Sequence, residues 1–124
     1  MDYLQKAKSQ FEAGRLLFEN GYYNDALSRL YHALRSVAVF VVGKPEKGKW
    51  KHSALLKKFV IEVDGRGLFE LSRKERKLIK GFAGVRELAD YELVEYPKEK
   101  VEEYIALVER VIEEVENAKS DHKT

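Results

Sequence analysis

The segment from residue 24 to residue 42 constrains the fold most, because its apolar residues follow two adjacent helical stripes. One stripe consists of Ala26, Leu30, Ala33, Val37 and Phe40, and the other of Leu27, Tyr31, Leu34, Ala38 and Val41. A helix on the surface of a core has one apolar stripe, whereas two neighbouring stripes indicate burial on most sides. We therefore expect this helix at the centre of a bundle, with other helices around it.

Four more segments have apolar residues three or four positions apart, which predicts helices. They lie at about residues 4–18, 52–63, 72–89 and 97–115. Helices that are joined by short turns run antiparallel to each other. We predict an all-α, antiparallel up-and-down helical bundle of four to five helices, formed by residues 1–119 as a single domain. Residues 120–124 are expected to form a disordered tail.

Several residues mark where these helices begin and end. Gly21 is expected to end the first helix, and Asn24 to cap the second. Ser72 and Glu75 match a capping box at the start of the fourth helix. Pro97 fits the first position of the last helix, where its missing N–H costs nothing. These signals support four connections between five helical segments.

The composition limits the classes of protein to which the chain belongs. A length of 124 residues suits one domain, and no apolar run approaches the ~18 residues of a membrane span. The chain begins without the features of a signal peptide and contains no cysteine, which fits a cytoplasmic location. Charged residues make up 35% of the chain, a fraction typical of thermophile proteins.

Charge is distributed unevenly along the chain. Residues 44–80 contain 12 Lys and Arg against 5 Asp and Glu, whereas residues 81–124 contain 6 against 12. The basic segment is consistent with a surface for a polyanion such as RNA. Alternatively, helices of opposite charge pack together and neutralise each other, because residues that cluster in sequence need not cluster in space.

One group of candidate functional residues lies on the second helix. His32 has Arg29 and Arg35 three positions away on either side, so the three share a face. They form either a titratable phosphate-binding patch or the polar edge of a half-buried helix. The sequence has no phosphate loop or zinc-binding histidine pair, and we predict no metal and no cofactor.

A second group lies in the stretch "KGKWKH". Lys51, His52 and the nearby Trp50 have the charge and the aromatic surface with which proteins hold single-stranded nucleic acid. The alternative is that His52 caps a helix and the lysines belong to a solvated loop.

A third group lies in "RELADYE" on the fourth helix. Arg86 and Asp90 are four residues apart and therefore share a face, with Tyr91 behind them. They form either a surface ion pair or an arginine clamp for phosphate that Asp90 orients. Gly81 and Gly84 precede them within the helix, where each costs about 1 kcal/mol relative to Ala. Close approach of another backbone is the expected reason for these glycines.

Three stretches together resemble the HEPN superfamily, in particular its short stand-alone members. "GYYNDALSRLYHAL" at residues 21–34 is similar to a signature with a glycine-tyrosine turn followed by Arg-x-Tyr-x-Ala, which here places Arg29 and Tyr31. "KWKHSALLKKF" at residues 49–59 resembles a Lys-x-His-Ser segment. "RELADYE" at residues 86–92 resembles an Arg-x-x-x-Asp-Tyr motif.

The resemblance implies a helical bundle that forms a homodimer and is often encoded beside a minimal nucleotidyltransferase. In many HEPN proteins the dimer cleft is a metal-independent ribonuclease site, in which an arginine is followed after four to six residues by a histidine. Here those positions after Arg86 run from Tyr91 to Leu93, and the next histidine is His122. The resemblance therefore extends to Arg86 but supplies no proton-transfer partner for it.

We consider three functions. In the first, the homodimer binds RNA or a nucleotide and works beside a nucleotidyltransferase in a toxin–antitoxin-like or defence system. Its ligand-binding residues are Arg86, Asp90, Tyr91, Lys51, His52, Arg29 and Tyr31. In the second, the protein is a metal-independent ribonuclease whose catalytic candidates are Arg86, His52 and His32. In the third, it is a structural dimerisation module without a ligand. The sequence leaves open whether the protein is an enzyme.

Overall fold

A computed structural model describes residues 1–91 and 94–121, apart from the side chains of residues 52, 53, 120 and 121. It contains five helices: α1 (Tyr3–Glu19), α2 (Tyr23–Val42), α3 (His52–Gly65), α4 (Arg73–Tyr91) and α5 (Lys98–Asp121). The described part of the chain has no β-strand. The predicted all-α bundle is therefore confirmed, with five helices.

Helix α2 is the central helix of the bundle, and it packs against each of the other four. Both of its predicted stripes are buried, apart from their last residues Phe40 and Val41, which are partly exposed. Its most extensive contact is with α1, to which a turn of three residues connects it. Gly14 of α1 allows this close approach, because a Cβ there would lie 3.1 Å from Leu30 Cδ2.

Helix α5 closes the bundle along a regular apolar seam. Its buried residues are Val101, Tyr104, Leu107, Val108, Val111, Ile112 and Val115. The helix continues to Asp121, so it includes the first two residues of the expected tail. Residues 122–124, with His122, lie outside the described residues. No helix in the described part of the chain is both long enough and apolar enough to cross a membrane.

Two of the predicted helix boundaries are confirmed in detail. Gly21 has φ +84°, the left-handed conformation that glycine adopts without strain, and it follows the end of α1. Ser72 and Glu75 form the capping box of α4, since each accepts a hydrogen bond from the backbone N–H of the other. Pro97 is expected at the first position of the last helix, but it lies one residue before it, because α5 begins at Lys98.

The prediction that Asn24 caps α2 is wrong. The capping position is Tyr22, and Asn24 lies one residue inside the helix. Its side-chain amide donates to the carbonyl oxygens of Ala89, at 3.3 Å, and Val94, at 2.6 Å, and its oxygen accepts from the N–H of Tyr96 at 3.1 Å. Asn24 therefore ties the beginning of α2 to the end of α4 and the connection that follows it.

Candidate functional site

Arg86 lies near the C-terminal end of α4, partly covered by groups from its own helix and from α2. Its Nε is 2.9 Å from Asp90 Oδ2, and both side chains are about one-fifth exposed, at 21% and 23%. The contact is an ion pair without hydrogen-bond alignment, because Nε has no hydrogen-bond partner among the described residues. Asp90 thus pairs with Arg86 through Nε.

Two tyrosine rings flank the guanidinium. Its central carbon is 5.7 Å from the ring centre of Tyr31 and 6.0 Å from that of Tyr91. These distances allow cation–π attraction, which is stronger where water is excluded. Tyr31 is fully buried, whereas Tyr91 is 72% exposed. Arg86 therefore lies between a fixed inner ring and an outer ring that is accessible to a ligand.

The inner ring belongs to a column of aromatic side chains that reaches into the core. Tyr31 packs edge-on against Phe82 with ring centres 5.4 Å apart, and Phe82 lies 4.1 Å from Tyr104. Burial raises the pKa of Tyr104 to about 12, with a smaller contribution from Glu103. Because three helices contribute to this column, the position of Tyr31 beneath Arg86 is set by the packing of the whole bundle.

His32 stands beside Tyr31, with ring centres 5.8 Å apart. Burial lowers the pKa of His32, and the positive charges of Arg86, Arg29 and Arg35 lower it further, against a small opposing effect of Asp90. His32 is therefore neutral at pH 7, with one ring nitrogen able to accept a proton. We refer to Arg29, Tyr31, His32, Arg86, Asp90 and Tyr91 as the Arg86 cluster.

The loop that precedes α3 also reaches α2. Arg35 donates to the carbonyl oxygen of Trp50 at 3.5 Å, and the indole N–H of Trp50 donates to the carbonyl oxygen of Gly43 at 2.8 Å. Lys51 follows directly as the exposed capping residue of α3. The basic face of α2 and the end of the lysine-rich loop are therefore neighbours. The predicted site residue His52 begins α3, but its side chain lies outside the described residues.

The charge asymmetry of the sequence is partly neutralised in the fold. Acidic residues of α5 pair with cations of other helices, as in Lys8–Glu116 at 2.7 Å and Lys74–Glu103 at 3.6 Å. Arg110 of α5 pairs with Glu75 of α4 at 2.7 Å. Around His32, by contrast, three arginines act against one aspartate. The neutralisation that the sequence suggested occurs along α5, whereas the Arg86 cluster keeps an excess of positive charge.

One exposed face of α4 borders a groove of about 520 Å³, and Arg86 is not among its lining residues. The groove is lined by Gly81, Gly84, Val85, Glu87, Leu88 and Tyr91. A Cβ added at Gly81 or Gly84 would meet no atom of the described residues within 4 Å. Close packing against the described part of this chain is therefore not the reason for these glycines.

The sequence marks the members of the Arg86 cluster as candidates but gives no sign of how they are held. The role of Asn24 has no signal in the sequence, since an asparagine early in a helix resembles a cap. In the sequence, Tyr31, Phe82 and Tyr104 are only separate apolar positions on three helices, and nothing indicates that their rings stack into one column. No group of three His, Cys, Asp or Glu residues that could hold a metal ion occurs among the residues that the structure describes.

The fold and the site together define a small all-α protein with an arginine, flanked by tyrosines, on a basic helix face. The family model described as "HEPN domain" matches residues 1–118, so the chain belongs to the HEPN family. Proteins of this family are generally RNA-related or nucleotide-binding, and HEPN domains often dimerise. The comparison with curated proteins finds no match to the chain.

Proposed function

We propose that this HEPN protein binds RNA or a nucleotide on the Arg86 cluster, together with Lys51 and His52 at the start of α3. The observation that carries the proposal is the set of charges around His32. Three arginines lie close enough to lower the pKa of this histidine, and among the described residues Asp90 opposes them. An anion near these arginines would be attracted by all three.

Each part of a nucleotide has a suitable partner in the Arg86 cluster. The terminal nitrogens of Arg86 suit two oxygens of one phosphate, because a guanidinium presents its N–H groups as a planar fork. The exposed ring of Tyr91 offers a surface on which a base can stack. Neutral His32 is able to accept a hydrogen bond from a ribose hydroxyl, which DNA lacks at the 2′ position.

The proposal predicts that Arg86→Gln weakens binding of short single-stranded RNA about tenfold, because a charge-assisted contact to phosphate is lost. Affinity is measured by fluorescence anisotropy at two salt concentrations. The dependence of log affinity on log salt concentration should become shallower by about 0.7 for each phosphate contact that is lost. Arg86→Gln with Lys51→Gln should weaken binding further.

Arg15→Gln is the matched control, since Arg15 is an arginine of α1 that pairs with Glu19 on its own helix. This variant should bind RNA with unchanged affinity. Thermal unfolding of both variants separates loss of binding from loss of fold. Unchanged affinity of a folded Arg86→Gln, Lys51→Gln double variant would contradict the proposal and favour a structural module without a ligand.

A metal-independent ribonuclease is the second candidate, and His32 is the observation that favours it. A neutral histidine close to the charge of Arg86 has the two properties of such a site, namely a base for the ribose 2′-hydroxyl and a cation for the developing phosphorane. Cleavage of labelled RNA should then follow a pH profile that His32→Asn abolishes. RNA that stays intact with enzyme in excess between pH 5 and pH 9 would exclude this candidate.

The proposal includes a homodimer formed through the groove on α4. Leu88 and Tyr91 are large exposed side chains on the same face as Gly81 and Gly84, and the two glycines permit close approach of another helix. Tyr91 belongs both to this face and to the Arg86 cluster. A second copy on α4 would therefore place two Arg86 clusters near one interface.

The proposal also includes a cytoplasmic location and a nucleotidyltransferase partner in a toxin–antitoxin-like or defence system. Its support is the resemblance to HEPN proteins that are encoded beside such enzymes. A nucleotidyltransferase gene adjacent in the source genome, whose product co-purifies with this chain, is the expected result. Separate elution of the two proteins at micromolar concentration would count against this part of the proposal.

A further inference from the structure

A basic cavity lies at the other end of α2 from the turn with α1, apart from the Arg86 cluster. Its volume is about 310 Å³, and it is bordered by the beginning of α1, by α2 and by the lysine-rich loop. This volume is at the lower end of the range for small-molecule sites. Its walls combine the aromatic side chains of Tyr3 and Trp50 with the cations of Arg35, Lys44 and Lys49.

The aromatic walls are held in place by the fold. Trp50 is partly buried against the core, and its indole N–H donates to the carbonyl oxygen of Gly43 at 2.8 Å. Gly43 and Gly48 have φ of +89° and +70°, conformations that let the loop turn back on itself. Tyr3 is the first residue of α1. A planar ligand would therefore meet a pre-positioned indole ring, which lowers the entropic cost of binding.

The charge of the cavity favours an anion. Residues 44–51 contain four lysines and one glutamate. Among the residues that the structure describes, none of those lining the cavity is acidic. Rings that offer a stacking surface beside ammonium and guanidinium groups are the combination with which proteins hold single-stranded nucleic acid.

We propose that this cavity binds one nucleoside phosphate unit, with its base against Trp50 and Tyr3 and its phosphate on Lys44 and Lys49. Arg35 connects the cavity to the Arg86 cluster. It lines the cavity, donates to the carbonyl oxygen of Trp50, and its charge lowers the pKa of His32.

The next inference rests on the proposed function. Where that function holds, the Arg86 cluster and the cavity beside Trp50 form one continuous binding surface for single-stranded RNA. Two or more nucleotides would span from the Arg86 cluster over Arg35 to Trp50. An unstacked base fits the cavity, whereas a base within a double helix has its faces covered by its neighbours. The preferred ligand is therefore a single strand of RNA.

Trp50 is the only tryptophan, so its fluorescence reports directly on the cavity. Titration with uridine or adenosine 5′-monophosphate should quench it saturably, and a single-stranded RNA hexamer should do so at lower concentration. Lys44→Gln with Lys49→Gln should raise the concentration needed for half-quenching about tenfold for both ligands. Lys47→Gln is the matched control, because Lys47 is in the same loop but does not line the cavity.

The Arg86→Gln variant separates this inference from the proposed function. Mononucleotide quenching should be unchanged in it, while the affinity for the hexamer falls. Absence of saturable quenching by mononucleotide and hexamer alike would overturn the inference, and Arg86-dependent RNA binding measured by anisotropy would still support the proposed function. Mononucleotide quenching that is equal in the Lys44→Gln, Lys49→Gln variant and in the unchanged protein would also overturn the inference.

Discussion

At the scale of single residues, His32 shows how the environment sets chemistry. His32 has Arg29 and Arg35 beside it on its own helix, and the fold then buries it and adds Arg86 of α4. Burial and those charges both favour the neutral imidazole, so the pKa of His32 is lowered in the folded state relative to the unfolded state. Protonation of His32 is therefore linked to unfolding.

This linkage predicts that stability falls as the pH drops below about 6.5, the pKa of an unperturbed histidine. Above that pH His32 is neutral in both the folded and the unfolded chain, so its full contribution to the free energy of unfolding is present. As the pH falls towards the folded-state pKa, the unfolded chain binds a proton that the folded chain does not. Urea unfolding at pH 7.5 and 5.5 measures the effect.

His32→Gln is the variant that isolates this contribution. Its stability should change less between pH 7.5 and pH 5.5 than that of the unchanged protein. The carboxylates whose pKa is lowered, such as Asp64 and Glu75, titrate at lower pH and contribute equally to both proteins. Equal pH dependence of the two proteins would show that His32 is not coupled to folding.

At the scale of elements, α4 combines two faces with different tasks. One face buries Ile79 and Phe82 in the core. Another exposes Leu88 and Tyr91 beside Gly81 and Gly84, and in the described part of the chain no atom lies within 4 Å of a Cβ added at either glycine. Each glycine lowers helix stability by about 1 kcal/mol, so their presence is explained more readily by an interface between copies than by the fold of one chain.

If the chain forms the proposed homodimer through α4, Leu88→Asp should give a monomer without loss of fold, because a charge would be buried at the proposed interface. Sedimentation velocity measures the oligomeric state, and circular dichroism measures the helix content. Leu16→Asp is the control, since Leu16 is a comparably exposed leucine of α1. If the unchanged protein is a monomer, the proposed interface is excluded. If the Leu88→Asp variant is still a dimer, the interface lies elsewhere.

At the scale of the whole molecule, ion pairs between distant segments supplement the apolar core. Glu75 takes part in several of these contacts. It closes the capping box with Ser72, and both of its carboxylate oxygens lie within 2.8 Å of Arg110 Nη1. Burial alone would raise the pKa of Glu75, but the hydrogen bonds from Ser72 and Arg110 outweigh it and lower the pKa.

We therefore expect Glu75→Gln to lower the free energy of unfolding by about 2 kcal/mol, because it removes a charge-assisted contact between α4 and α5 and weakens a helix cap. Chemical denaturation at pH 7 measures this loss. Glu109→Gln, which changes an exposed carboxylate of α5, should have an effect within about 0.5 kcal/mol. Equal stability of the two variants would show that the Glu75 contacts contribute little.

The sequence alone determined the helices and their order. The double stripe of α2, the capping box at Ser72 and the glycine at position 21 are local signals, because residues three or four apart in a helix already share a face. The pairing of Arg86 with Asp90 was visible for the same reason. A thermophilic source stays a prediction, supported only by the high fraction of charged residues.

Only the tertiary structure decided what surrounds those local features. Tyr31 lies under Arg86, and Asn24 bonds the end of α4, because of how α2 and α4 pack against each other. The neutral state of His32 depends on arginines from two helices. Such contacts arise from the offset and rotation between packed helices, which depend on all interlocking side chains at once. No short stretch of sequence encodes them.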